Sequence, residues 1–105
     1  MRAGDLKEHI IFQRKRVTQS EYGGGSVEWE DAISARATVV FKGGKRIVDS
    51  NEIFNEYTFT FYVRIYHQVD ESMRIKYNGK SYKILSLYRN KDLQGIEIIG
   101  ELIND

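Results

Sequence analysis

Along residues 73–84, apolar and polar positions alternate on either side of Asn78-Gly79. Asn and Gly tolerate the positive φ that both central positions of a type I′ turn require, so the pattern predicts a two-residue β-hairpin. Loop length sets the register, with Tyr77 opposite Lys80, Ile75 opposite Tyr82 and Met73 opposite Ile84. Alternate residues of a strand share a face. Met73, Ile75, Tyr77, Tyr82 and Ile84 therefore gather on one side, and Arg74, Lys76, Ser81 and Lys83 on the other. One apolar face and one basic, polar face predict a half-buried antiparallel pair.

The alternation recurs along the chain. Leu6, Ile10 and Phe12 form the inward face of a first strand, with Lys7, His9 and Gln13 outward. The Asp5-x-x-Glu8 capping pattern leaves room for at most one helical turn before it. Three glycines within residues 20–26 cost too much entropy inside a strand and predict a hairpin tip or surface loop. Val27 and Trp29 then alternate with Glu28 and Glu30, and a bulge or bend is expected at Asp31-Ala32. Ala35, Ala37, Val39 and Phe41 alternate with Arg36, Thr38 and Val40. Two strands, or one long bent strand, satisfy this stretch equally. Tyr57, Phe59, Phe61, Val63 and Ile65 share a face of the most regular strand, residues 57–66. The pattern breaks at Leu85, which predicts a bulge or burial on both faces. A charged loop over residues 89–95 leads to a last strand, residues 96–102. About six antiparallel strands, no proline and at most one short helix predict an all-β fold, a small barrel or sandwich with a long middle loop.

That middle segment, residues 42–56, obeys no local rule. Gly43-Gly44 ends the preceding strand, and Ile47-Val48 and Ile53-Phe54 are adjacent apolar pairs that suit neither period. A short helix over residues 45–51 and a long mobile loop are both compatible. Connections of this length are often functional, which makes the segment the leading candidate site.

Bulk properties narrow the class. The 105 residues suit a single domain able to bury about two-thirds of its unfolded surface. Without cysteine there is neither a disulfide framework nor a thiolate site. Sixteen basic and fifteen acidic residues leave a net charge of +1 and no global drive toward DNA or anionic membranes. No apolar run approaches a membrane span, and residues 1–5 lead into no signal sequence. These properties describe a soluble intracellular β-rich domain.

Motifs for chemistry are sparse. His9 and His67 stand outside any metal-binding spacing, no G-x-S-x-G elbow occurs, and Gly23-Gly24-Gly25 lacks a phosphate-loop frame. Neither an enzyme nor a cofactor is expected. Tyr62, Tyr66 and Tyr88 with Arg64, Arg74, Lys76 and Lys83 supply the ingredients of a face for single-stranded nucleic acid. Balanced charge weighs against that use, because affinity for phosphates follows uncompensated positive charge.

Taken in order, several pieces bring a family into view. They are Met1-Arg2-Ala3-Gly4-Asp5-Leu6, Ile10-Ile11-Phe12-Gln13-Arg14, the glycine tip followed by Trp29, and the strand from Ala35 to Val39. Arg64, Val69, Met73-Arg74-Ile75, Tyr77-x-Gly79-Lys80-x-Tyr82-x-Ile84 and Ile96-x-Ile98-Ile99 complete the series. Over nearly its whole length the chain resembles the small head–tail joining proteins of tailed bacteriophages, also called head–tail adaptor, head-completion or stopper proteins. The resemblance implies a non-enzymatic β-barrel in the neck of a phage or prophage virion, made in the host bacterial cytoplasm. It implies a homo-oligomeric ring, compatible with a monomer when alone, between a portal/adaptor protein and a tail-completion protein. Double-stranded DNA would pass through the channel without sequence-specific binding, and the ring would help retain it. In some relatives the long middle loop closes the channel. Here that loop offers Lys42, Gly43, Gly44, Lys45, Arg46, Ile47, Asn51 and Phe54 as gate residues, with Lys42, Lys45 and Arg46 near DNA. Two positions depart from the family pattern: Arg36, where an aromatic residue is frequent, and Gly100, where cysteine or another side chain is common.

Overall fold

Six antiparallel strands make up the regular structure: β1 (Glu8–Gln19), β2 (Gly25–Asp49), β3 (Glu52–Arg64), β4 (Arg74–Tyr77), β5 (Lys80–Asn90) and β6 (Gly95–Leu102). The computed structural model describes residues 6–19, 25–49 and 52–104, and no helix occurs among them. Hydrogen-bonded neighbours run β1-β2-β3-β6-β5-β4, and β4 returns to β1 to close a barrel. Of the two architectures open to the sequence, closure selects the barrel over the sandwich. The closing seam is short, with Ile11, Phe12 and Gln13 opposite Lys76, Ile75 and Arg74.

β2 is one strand of 25 residues. Drawn straight, it would run about 80 Å, whereas the longest dimension of the molecule is 49 Å. The strand therefore bends, and bulges show where. Phe12 faces Ile33 while Gln13 faces Asp31, leaving Ala32 as the extra residue. Phe41 faces Phe59 while Gly43 faces Thr58, leaving Lys42 extra. A third bulge leaves Leu85 extra between Ile84, opposite Gly100, and Ser86, opposite Ile99. An extra residue adds local twist and bend, the device by which a small sheet curls into a barrel. The bulge at Ala32 and the break at Leu85 match the sequence pattern.

The core lies inside the ring. Ile10, Phe12, Ala35, Ala37, Phe61, Val63, Met73, Ile75, Tyr82, Ile96 and Ile98 are buried, joined by Val69 and Leu102. Each fully buried large aliphatic or aromatic side chain contributes roughly 1.5–3 kcal/mol. Gly100 also points inward. A β-carbon there would stand 2.9 Å from Cε2 of Phe61, so the missing side chain is the space that Phe61 occupies.

The hairpin forms as read. Asn78 and Gly79 have φ of 52° and 78°, and Tyr77 faces Lys80, Ile75 faces Tyr82 and Arg74 faces Lys83. Three expectations need correction. Gln13 points outward but is buried, because its amide donates to Asp31 Oδ1 at 2.9 Å and its carbonyl accepts from Arg74 Nε at 2.7 Å. The 89–95 loop contracts to residues 91–94, since Arg89 and Asn90 belong to β5. Asn90 Oδ1 caps that turn through the amides of Asp92 and Leu93, and Gln94 takes a φ of 54°. The regular strand ends at Arg64, two residues early, because its partner strand gives way to the 91–94 turn, where Gln94 takes a positive φ; the Ile65 amide still donates to the Gln94 carbonyl. The capping Asp5 and residues 20–24 of the glycine tip lie outside the described residues.

Candidate functional site

The segment that no local rule fixed, residues 42–56, is neither helix nor loose loop. It is the outer part of β2 and β3, paired from Gly43 opposite Thr58 to Asp49 opposite Glu52. The reason is visible only across the strands. Folding back sets Ile47 opposite Phe54 and Val48 opposite Ile53, so a pattern irregular along the chain is regular between its two halves. Gly43-Gly44 does not end the strand either; it completes the bulge. Gly43 takes a φ of +113°, and a β-carbon on Gly44 would lie 2.3 Å from the Glu56 carbonyl oxygen and 2.3 Å from Tyr57 Cδ1. The two backbones approach so closely there that only glycine fits.

β6 pairs with β3 no further than Thr58, opposite Glu101, so the six residue pairs beyond it form a two-stranded ribbon that leaves the barrel. At about 3.4 Å per residue it reaches roughly 20 Å. A second such ribbon lies at the other end of β2, where six pairs from Arg14 opposite Glu30 to Gln19 opposite Gly25 extend past the β1–β4 seam. These arms give a radius of gyration of 15.6 Å, above the ~13 Å of a compact chain this long. The β1–β2 arm is the first ribbon and the β2–β3 arm the second.

The proposed gate residues thus fall into two groups. Lys42, Gly43, Gly44, Lys45 and Arg46 occupy the base of the second ribbon, and Ile47 and Phe54 face each other further out. Asn51 lies outside the described residues. Charge is graded along the arm: Lys42, Lys45 and Arg46 stand at the base near Glu56, whereas Asp49 and Glu52 are the outermost described pair. The three cations and three acids cancel, so the arm as a whole offers no electrostatic grip on phosphates. At its base Lys42, Gly43, Gly44, Lys45, Glu56, Thr58 and Glu101 line an open depression of about 530 Å³.

Aromatic rings anchor the arm to the barrel. Phe61 and Tyr82 in the core contact Phe59 and Tyr77, and Phe59 in turn meets Phe41 with ring centroids 5.2 Å apart. Phe41 also packs edge-on against Tyr57 at 5.9 Å while remaining 55% exposed. Burial raises the Tyr77 and Tyr82 phenols above their ordinary value, and the charge and hydrogen bond of Glu8 add to the shift at Tyr77.

The aromatic and basic residues proposed for single-stranded nucleic acid do not form one continuous face. Glu97 of β6 stands between Tyr62 and Tyr88 in the ladder. Burial, with the charge and hydrogen bond of Glu97, raises the Tyr62 phenol. Lys83 pairs with Glu101 at 3.7 Å, and Arg74 lies 4.6 Å over the Trp29 ring while bonded to Gln13. A carboxylate between the tyrosines and cations engaged elsewhere are poor provision for a phosphate backbone.

The two histidines, isolated in sequence, meet in space. His9 and His67 line a depression of about 510 Å³ with Leu6, Ser34, Arg36, Arg64 and Tyr66, and His9 Nε2 lies 2.5 Å from Ser34 Oγ. Partial burial lowers the His67 pKa. No group of three His, Cys, Asp or Glu residues suited to a metal occurs among the described residues. One structural residue escaped the sequence reading. Arg89 donates to the carbonyls of Ile65, His67 and Val69 at 3.1, 3.2 and 2.9 Å and pins the 65–73 loop to β5. In that loop the Asp70 carboxylate accepts from the backbone and hydroxyl of Ser72, which hold its pKa below the usual value.

A family model described as phage head completion protein matches residues 1–100. The chain belongs to that family. Head completion makes it a structural component of the head or neck of a phage particle. Its fold is shared with a chain in the virion of a native gene transfer agent particle, with a TM-score of 0.74 and 14% identity over 93% of this chain and 96% of that one. A Shigella flexneri 2a protein solved in solution, SF1141, superimposes with a TM-score of 0.70 and 20% identity over 97% of this chain and 96% of its own. A search of curated proteins found no match. At these identities the two structures show a common fold, and the family model carries the role of a head completion protein.

Proposed function

We propose that this head completion protein forms a ring in the virion neck, between the portal or adaptor of the DNA-filled head and a tail-completion protein. There the second ribbon projects into the channel and helps to retain packaged double-stranded DNA. The observation that carries the proposal is the placement of that ribbon: six residue pairs extend past the last β3–β6 pair, and only at the base does a described side chain, Tyr57, pack against the core. An arm built this way can move or be removed without dismantling the domain. Cancellation of charge along the arm favours obstruction over binding, so contact with DNA is independent of sequence. Lys42, Lys45 and Arg46, at the base, meet phosphates only where the duplex passes the ring wall. Synthesis in the host cytoplasm precedes assembly onto the head.

The test replaces residues 45–56 with a two-residue Asn-Gly turn joining Gly44 to Tyr57. The shortened chain is expected to fold and to co-purify as a ring with the neighbouring portal and adaptor, seen by electron microscopy. Particles completed with it are expected to lose their genome to nuclease. Normal genome retention by such particles refutes the gate, and failure of the intact chain to associate with portal complexes refutes the neck position.

A further inference from the structure

The first ribbon has features that the gate does not use. Its β1 strand is basic, with Arg14, Lys15 and Arg16, and its β2 strand is acidic, with Glu28 and Glu30. Beyond Gln13 and Asp31 each strand pairs, among the described residues, only with the other, which leaves an outer edge on each. Val17 and Val27 face each other across the ribbon and are 65% and 53% exposed. Such an arm is marginal on its own in water, and an open edge beside exposed valines is the usual starting point for pairing with another chain.

Charge decides which chain and in what sense. An isologous contact, the same edge from two copies, would set cations against cations or acids against acids. Only the β1 edge of one copy against the β2 edge of the next brings opposite signs together. That contact is heterologous, and heterologous contacts propagate until they close into a ring. We infer that the first ribbon is the joint between copies of this chain, the basic β1 edge of each lying against the acidic β2 edge of its neighbour and flanking Val17 and Val27. Within one ribbon Arg16 and Glu30 are 3.9 Å apart with both side chains at least half exposed, so this internal pair leaves both free to engage a neighbour. Arg14, Lys15 and Arg16 are all exposed, and Lys15 and Arg16 lie further along the arm from the seam. The inference rests on the neck reading for its setting, but the contact itself is argued from the ribbon.

Charge exchange tests it. One variant carries Lys15→Glu and Arg16→Glu, making both edges acidic; another carries Glu28→Lys and Glu30→Lys, making both edges basic. Each alone is expected to lose ring assembly on portal complexes by about tenfold or more, since like charges face each other across the joint. Mixing the two is expected to restore rings, because alternating copies again present opposite signs. Recovery on mixing separates the joint from a fault within the ribbon, which each variant carries into the mixture. Circular dichroism and urea unfolding check that each barrel is folded. Rings from either variant alone, or no rings from the mixture, overturn the inference while leaving the neck position intact. If the intact chain itself fails to associate with portal complexes, it is the neck reading that fails. The joint is then read by sedimentation of the concentrated chains, with assembly of the mixture above either variant supporting it and equal sedimentation refuting it.

Discussion

Gly44 offers the sharpest test of how the second ribbon is attached. In Gly44→Ala the added carbon would stand 2.3 Å from the Glu56 carbonyl oxygen and 2.8 Å from Tyr57 Cα. An ordinary carbon–oxygen contact is about 3.3 Å, so the strands must separate by roughly 1 Å. Both obstacles are backbone, and no side-chain rotation relieves them. Overpacking of this kind costs about 3 kcal/mol; the gain from restricting the unfolded chain returns about 0.4–1 kcal/mol. The net loss, about 2 kcal/mol, falls on a ribbon held beyond that point by five cross-strand pairs, at about 0.2–1 kcal/mol each. The ribbon should therefore open while the barrel stays closed. Hydrogen exchange is the assay: amides of the second ribbon are expected to lose protection roughly thirtyfold, and those of Ile75, Ile96 and Ile98 to keep theirs. Gly43→Ala is the control. No atom lies within 4 Å of its β-carbon position, so it carries only the strain of a φ of +113°, about 1–3 kcal/mol. Unchanged exchange in Gly44→Ala would refute the close approach. Equal loss throughout the barrel would refute the independence of the arm.

Two further outcomes follow from individual side chains. Arg89→Ala should destabilise the protein by about 2 kcal/mol by stripping a charged donor from three carbonyls. Arg89→Lys should recover little of it, since a single ammonium cannot reproduce the guanidinium fork; urea unfolding of both variants checks this. Alkaline titration reads the tyrosines. The Tyr62, Tyr77 and Tyr82 phenols are raised above 10.0 in the folded chain, so the folded state holds protons that the unfolded state releases first. Their stabilisation is complete below pH 10 and is lost as pH climbs through the raised values. Thermal melts should show this decline, and a triple Tyr→Phe variant should flatten it.

Sequence legibility followed the range of the interactions involved. The Asn78-Gly79 hairpin, the inward faces of β1 and β3, the bulge at Ala32 and the break at Leu85 could all be read, because each is set by neighbours a few residues apart. Gln13 could not. Its polarity placed it outside, but its burial comes from Asp31 and Arg74, which the barrel seam brings to it from 18 and 61 residues away. Arg89 was hidden for the same reason. The candidate segment, residues 42–56, reads from the sequence as a loop or helix, whereas it is paired strand. Its apolar residues match only when two halves of a hairpin are laid side by side, and its glycines signal a bulge only once Glu56 and Tyr57 are known to lie against them.

By itself, then, the sequence determined the all-β class, the hairpin, the inward faces of β1 and of the barrel part of β3, and the family to which the chain belongs, since alternation and turn chemistry are local and the family signature is an ordering of local pieces. Tertiary structure decided that the sheet closes, that β2 runs unbroken through two bulges, and that its two ends leave the barrel as paired arms. Those outcomes depend on register between strands distant in sequence. A strand's own residues say which face is buried, but only its neighbours say where the pairing stops.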